Sequence, residues 1–222
     1  MSTNSPNTPC GLCEKPMTPR GMGRHLSSCL EKNIHLIADQ SGESPGILHL
    51  KVHGGGKGSP YWLHLAVDQD VQLKKLDSFL RDMWLECCGH ASTFFQGRPY
   101  TSEEVGMNRK LNSVLDPGEF ITHIYDFGTE TMCVIEALER YPGRIKGKNK
   151  LALLARNPAP EFPCEACGRE AAEYICQECS MEGGEDLLCR SCRQGHECDE
   201  EMLVRLMNSP RAGECAYGSE YV

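Results

Sequence analysis

The chain has 222 residues, 40% apolar and 24% charged, and its 31 acids against 23 bases leave a formal net charge of -8. That composition is globular and not disordered, and its acid excess excludes a protein that coats nucleic acid or anionic membrane with its whole surface. No stretch approaches the roughly 18 apolar residues of a membrane span. No charged-then-apolar signal segment opens the sequence, so a cytoplasmic, reducing setting is expected for its 14 cysteines.

Residues 1–9 (MSTNSPNTP) are polar and rich in Pro, Ser and Asn, the signature of a disordered lead. The N-terminal unit, residues 10–40, carries Cys10-x2-Cys13-x11-His25-x3-Cys29. Four such ligands suit tetrahedral zinc. Two cysteines three apart bend round one ion, and His25 and Cys29, four apart, share one face of a helix expected over Gly23–Leu30. So short a segment buries little apolar surface, so it is expected to need metal to fold.

A linker at Ser41–Gly46 leads into a middle domain, residues 46–140. Ile47–His53 and Tyr61–Val67 alternate apolar and polar residues, as half-buried strands do, around a hairpin loop at Gly54–Ser59. Asp70 is placed to cap a helix whose apolar stripe runs Leu73, Leu76, Leu80, Met83 and Cys87. A short strand is expected near Thr93–Gln96, and Thr101-Ser-Glu-Glu104 reads as a capping box opening a weaker helix that ends at Asp116-Pro-Gly118. Phe120–Tyr125 and Thr131–Leu138 are β-rich and joined by a turn at Asp126–Thr129, in which Gly128 is expected to supply the positive φ. The fold class is therefore α+β: a mostly antiparallel sheet with one main packed helix, flanked at both termini by small zinc-binding modules.

Residues 141–160 read as a basic linker, overlapping a 140–156 stretch that holds six bases and no acid. The C-terminal unit, 161–222, contains Cys164-x2-Cys167, Cys176-x2-Cys179, Cys189-x2-Cys192 and His196-x-Cys198. Eight ligands in four close pairs match two ions. A cross-brace, in which alternate pairs share an ion, assigns Cys164, Cys167, Cys189 and Cys192 to one and Cys176, Cys179, His196 and Cys198 to the other. Cys215 is a spare thiol and the alternative ligand at the second of these sites. Disulfides are disfavoured by the expected compartment, and iron–sulfur clusters by the histidine in each mixed site. Three zinc ions per chain are expected, in closed sites of four protein ligands that are structural and not catalytic.

Charge separates the two terminal units. Residues 161–201 carry twelve acids against three bases, so the C-terminal unit repels phosphates and suits protein contact better. Candidate nucleic-acid contacts are confined to Arg20 and Arg24 of the N-terminal unit and Arg144, Lys146, Lys148 and Lys150 of the basic stretch.

Several apparent catalytic motifs fail on inspection. Asp126-Phe-Gly128 has no kinase catalytic loop before it, and Gly54–Ser59 lacks the Lys-Ser/Thr order of a phosphate loop. Cys87-Cys88 beside His90 lacks an orienting acid, and Cys87 lies on the apolar helix stripe, so no catalytic residue is assigned. His49, His53, His64 and His123 remain the residues of an alternative in which a middle-domain groove is an active site.

The strands Ile47–Val52 and Tyr61–Val67, the helix Leu73–Trp84 and above all Tyr125-Asp-Phe-Gly128 resemble the plasmid pRi Orf-three-like family, found also as passenger proteins of mobile elements. Thr129 and Thr131 stand where relatives carry an acid and a tryptophan, so no role of those residues carries over. The tail Asn208–Cys215 and the array before it are similar to the zinc-binding extension of some members. The resemblance implies a compact α+β fold in a prokaryotic cytoplasmic protein and no established activity. The expected function is a non-enzymatic interaction or adaptor protein with a protein partner and no membrane. A nucleic-acid accessory factor linked to mobile elements is the first alternative and an enzyme the second.

Overall fold

The computed structural model describes residues 7–40, 45–55 and 58–219. Residues 1–6 of the expected lead, residues 41–44 of the first linker and residues 56–57 of the glycine loop lie outside the described residues, and the end of that lead is not disordered, because Thr8 and Pro9 pair as a strand with Met17 and Pro16. In chain order come Thr8–Pro9 (β1), Pro16–Met17 (β2), Pro19–Asn33 (α1), Ala38–Asp39 (β3), Ile47–Gly54 (β4) and Tyr61–Asp68 (β5). Leu73–Leu80 (α2), Ser92–Phe95 (β6), Glu104–Val105 (β7), Phe120–Tyr125 (β8) and Thr131–Tyr141 (β9) follow. Then come Arg144–Ile145 (β10), Leu151–Arg156 (β11), Tyr174–Cys176 (β12), Gln177–Glu182 (α3), Leu187–Leu188 (β13), Arg190–Arg193 (α4) and Leu203–Arg205 (β14). No helix among the described residues is long and apolar enough to cross a membrane.

The fold is α+β, as the periodicity implies. Its centre is a seven-stranded antiparallel sheet in the order β11-β5-β4-β9-β8-β6-β7. Alternation along β4 and β5 sends Leu48, Leu50, Val52, Leu63, Leu65 and Val67 to one face, where Leu73, Leu76 and Leu80 of α2 and Trp84 cover them. The opposite face of the same strands is covered too. Ile47, Trp62, Ala66 and Leu154 there meet Met22, Leu26 and Leu30 of α1, which recur every four residues along one helix stripe.

The structure corrects two expectations and adds a contact that the sequence does not show. β4 and β5 are buried on both faces, so His49 and His64 are enclosed and not on a solvated side. The N-terminal unit is docked on the sheet and does not stand apart: the Gly11 amide donates to the Leu154 carbonyl of β11 at 2.7 Å, leaving no room for a larger residue at Gly11. The stretch 141–160 is not a linker, because it supplies β10, which pairs with β3, and β11, an edge strand of the main sheet. Lysines alternating through 146–150 mask the short apolar run Leu151–Leu154 that makes that edge.

Two smaller corrections concern helix signals. Gln72, not Asp70, occupies the N-cap of α2, and Asp70 instead pairs with Arg144 at 3.1 Å. No α-helix follows Thr101–Glu104; Glu104 and Val105 extend the sheet as β7, and only a 3-10 turn forms at Leu111–Ser113. The C-terminal unit has its own three-stranded sheet, β13-β12-β14, and a very small apolar cluster of Cys176, Leu188 and Leu203.

Candidate metal centres

In the N-terminal unit, Thr18 caps α1 by accepting from the Gly21 amide at 3.1 Å, and Pro19 takes the first helical position, where its missing N–H costs nothing. The helix presents His25 and Cys29 one turn apart to the Cys10–Cys13 turn. That turn closes with Glu14 in the left-handed region at φ 60° while its amide bonds the Cys10 carbonyl. The same device recurs at Cys164–Cys167, where Gly168 has φ 63° and bonds the Cys164 carbonyl. In each case the reversal aims two thiols at one point.

Ligand atoms of Cys10, Cys13, His25 and Cys29 all lie within 4.8 Å of one another, and the same holds for Cys164, Cys167, Cys189 and Cys192 and for Cys176, Cys179, His196 and Cys198. A tetrahedral ion with bonds of about 2.3 Å to sulfur and about 2.0 Å to nitrogen requires edges of about 3.8 Å between sulfurs and about 3.5 Å between sulfur and nitrogen. The structure has Cys10–Cys29 at 3.8 Å, Cys13–His25 at 3.3 Å, Cys167–Cys189 at 4.0 Å, Cys179–Cys198 at 3.6 Å and Cys179–His196 at 3.4 Å. Such gaps are far longer than the roughly 2.05 Å of a disulfide, and every cysteine is free.

Outer groups orient the sulfurs. The Leu12 amide points at Cys10 Sγ at 3.5 Å, the Asn33 amide group at Cys29 Sγ at 3.3 Å and the Cys192 amide at Cys189 Sγ at 3.4 Å. Donors of this kind soften thiolate charge around a bound cation. All three clusters therefore have the donor set and spacing to hold metal ions, and the first two also show outer donors to their sulfurs.

The structure also gathers a fourth set that sequence spacing does not reveal: Cys87, Cys88, His90 and Cys215. Cys215 is thus not placed as a ligand beside Cys176, Cys179 and His196. It lies 3.4 Å from Cys88 Sγ and 3.3 Å from His90 Nε2. Nothing local signals this, because 124 residues separate His90 from Cys215.

Three of the six candidate nucleic-acid contacts have their charged groups engaged within the chain. Arg144 pairs with Asp70, Lys146 Nζ donates to the His35 carbonyl at 2.7 Å, and Lys150 Nζ donates to the Ile145 carbonyl at 2.9 Å. Lys148 is exposed with its carbonyl taken by Lys75, and Arg20 and Arg24 are exposed on α1.

The middle-domain histidines do not line one groove. His49 Nε2 and His64 Nδ1 bond at 2.9 Å beneath α1, and burial pushes them down to about 4 and about 3, so both are neutral at pH 7. His123 is fully buried on Asp77 at 2.8 Å, within a network that also ties Arg81 and Ser92 to that carboxylate. His53 is half exposed near Glu136.

In the Tyr125–Gly128 motif, Asp126 and not Gly128 takes the positive φ, at 63°. Its carboxylate accepts from the Gly128 amide at 2.9 Å and from Thr129 Oγ1 at 2.8 Å, which holds the turn in this conformation.

No family model and no curated protein matches this chain. Among solved structures, it is similar to a protein of unknown function from Methanosarcina mazei Go1, with a TM-score of 0.41 and 16% identity over 52% of this chain and 69% of that one. At that level the likeness carries no functional inference.

Proposed function

We propose that the chain is a non-enzymatic adaptor whose terminal units are organised by structural zinc, one ion on Cys10, Cys13, His25 and Cys29 and two in the C-terminal cross-brace. The spacing of those ligand atoms carries this reading, since empty thiols have no reason to converge at tetrahedral edge lengths. Mixed Cys/His donors in two of the three sites favour zinc over iron–sulfur clusters. All three sites use four protein ligands, which suits scaffolding rather than reaction. The middle domain is read as a plasmid Orf-three-like domain of a prokaryotic cytoplasmic protein.

The partner surface is assigned to the C-terminal unit. Its exposed acids include Glu182, Glu185, Glu197 and Glu201, and Met181, next to Glu182 in the chain, is 79% exposed. An acidic field with one apolar anchor suits a basic protein surface. The nucleic-acid reading is weakened by the internal pairing of Arg144, Lys146 and Lys150, and the enzyme reading by the burial of His49, His64 and His123.

Affinity capture from native cells tests the proposal. A protein partner that survives nuclease treatment and is lost when Glu182, Glu185, Glu197 and Glu201 are changed to lysine is the expected result. Capture that disappears with nuclease and is indifferent to those four changes would overturn it.

A further inference from the structure

The fourth Cys/His set differs from the other three in joining segments from different parts of the chain. Cys87, Cys88 and His90 lie in the loop that follows the helical turn Arg81–Leu85, whereas Cys215 lies in the C-terminal tail. Three of its edges approach the tetrahedral lengths: Cys87–Cys88 at 3.7 Å, Cys88–Cys215 at 3.4 Å and His90–Cys215 at 3.3 Å. The edge between Cys88 and His90 is compressed to 2.9 Å.

Both partners of this junction are held independently of any ion. On the loop side, the Tyr125 hydroxyl accepts from the amides of Cys87 and His90 at 3.5 and 3.3 Å. On the tail side, Ser209 donates to the Trp84 carbonyl at 2.6 Å, and Pro210 packs over Gly54, where a Cβ would come within 2.7 Å of it. Arg211 is fully buried; its Nη2 reaches Asp126 at 2.6 Å, its Nη1 the Thr129 carbonyl at 2.7 Å, and its guanidinium sits 4.9 Å from the Tyr125 ring. Cys215 itself is a non-glycine residue at φ 49°, ψ 41°, a costly conformation that leaves its sulfur beside Cys88.

The Tyr125-Asp126 motif thus grips both sides, and charge agrees with the geometry. Three thiolates and a neutral imidazole around a divalent ion leave a net charge of about -1. The Arg211 guanidinium, buried beside the Tyr125 ring and paired with Asp126, lowers the Cys87 thiol's pKa and stands against that excess.

We infer that Cys87, Cys88, His90 and Cys215 form a fourth zinc site, a clasp that fastens the C-terminal tail to the middle domain. The site is more open than the others, with Cys88 and Cys215 exposed. Its ion is therefore the first to exchange with solvent chelators. This inference stands apart from the three-zinc reading and fails separately from it.

Zinc content of the purified full-length chain, wild type and Cys215→Ser, is the test, with His90→Ala as a second variant from the loop side. Four ions in the wild type and three in each variant is the expected result. A count that does not change in either variant overturns the clasp, and three ions throughout does so while leaving the terminal sites intact. Alkylation mapped by mass spectrometry supplies an independent readout. Cys88, although exposed, should react about tenfold or more slower in the zinc-loaded wild type than in Cys215→Ser, because a metal-bound thiolate is a poor nucleophile towards the reagent. Equal rates overturn the site.

Discussion

Replacing Arg211 by methionine keeps most of the side-chain volume and removes a buried cation from the junction between tail and sheet. The loss comprises the ion pair with Asp126 at 2.6 Å, the bond to the Thr129 carbonyl at 2.7 Å and the bond to Thr131 Oγ1 at 3.1 Å, with both ion-pair side chains under a tenth exposed. Breaking a buried pair by removing one partner costs about 3–5 kcal/mol. Asp126 keeps its bonds from the Gly128 amide and Thr129 Oγ1, so the carboxylate is not stranded and the lower end, about 3 kcal/mol, applies. In a chain of this size each kcal/mol moves the melting temperature by about 2–4 °C, so a fall of about 6–12 °C is expected for the zinc-loaded protein. Asp126→Asn, which strands the guanidinium, should cost a similar amount, and the double variant should fall short of the sum by about 1–3 kcal/mol. A melt lowered by less than about 2 °C, or strictly additive losses, would refute the view that Arg211 anchors the tail.

Leu26→Ala empties the α1 side of the second core and should cost about 2–5 kcal/mol in global stability, read by denaturant unfolding; a silent substitution would mean that the N-terminal unit does not pack on the sheet. For His49 and His64, burial lowers the folded-state pKa from 6.5 to about 4 and about 3, so the unfolded chain binds protons first as pH falls. Their stabilisation is complete above about pH 6.5 and declines towards pH 4 for His49, by up to about 3 kcal/mol, and towards pH 3 for His64. Imidazole NMR signals of both rings should keep neutral shifts down to about pH 5, and titration near pH 6.5 would contradict their enclosure beneath α1.

Much of this arrangement is legible in the sequence for a physical reason: short-range chemistry leaves short-range patterns. The alternation in β4 and β5, the stripe Leu73–Leu80 and the His25/Cys29 helix face each encode one element and one buried side. What pattern cannot encode is which second element covers a face that looks polar. His49, Lys51 and His53 alternate as a solvated edge would, yet His49 is fully buried, with its Nε2 bonded to His64. Lysines at 146, 148 and 150 likewise disguise the approach to β11, because their charge signals a linker while the ammonium groups of Lys146 and Lys150 bond backbone carbonyls beside the sheet. The fourth metal set is invisible for a related reason. Cys87, Cys88 and His90 acquire a fourth ligand only because Arg211 and Pro210 carry Cys215 back across the sheet, and no spacing rule spans that return.

The C-terminal unit bears most heavily on the central claim, since its apolar cluster of Cys176, Leu188 and Leu203 is too small to hold residues 161–206 together alone. The most direct measurement is the amide NMR spectrum of the intact chain before and after exhaustive removal of zinc by a strong chelator. The account predicts that signals from 161–206 collapse to unfolded shifts while those of the seven-stranded sheet stay dispersed, and that zinc restores them. Unchanged dispersion across 161–206 in the metal-free protein would contradict it.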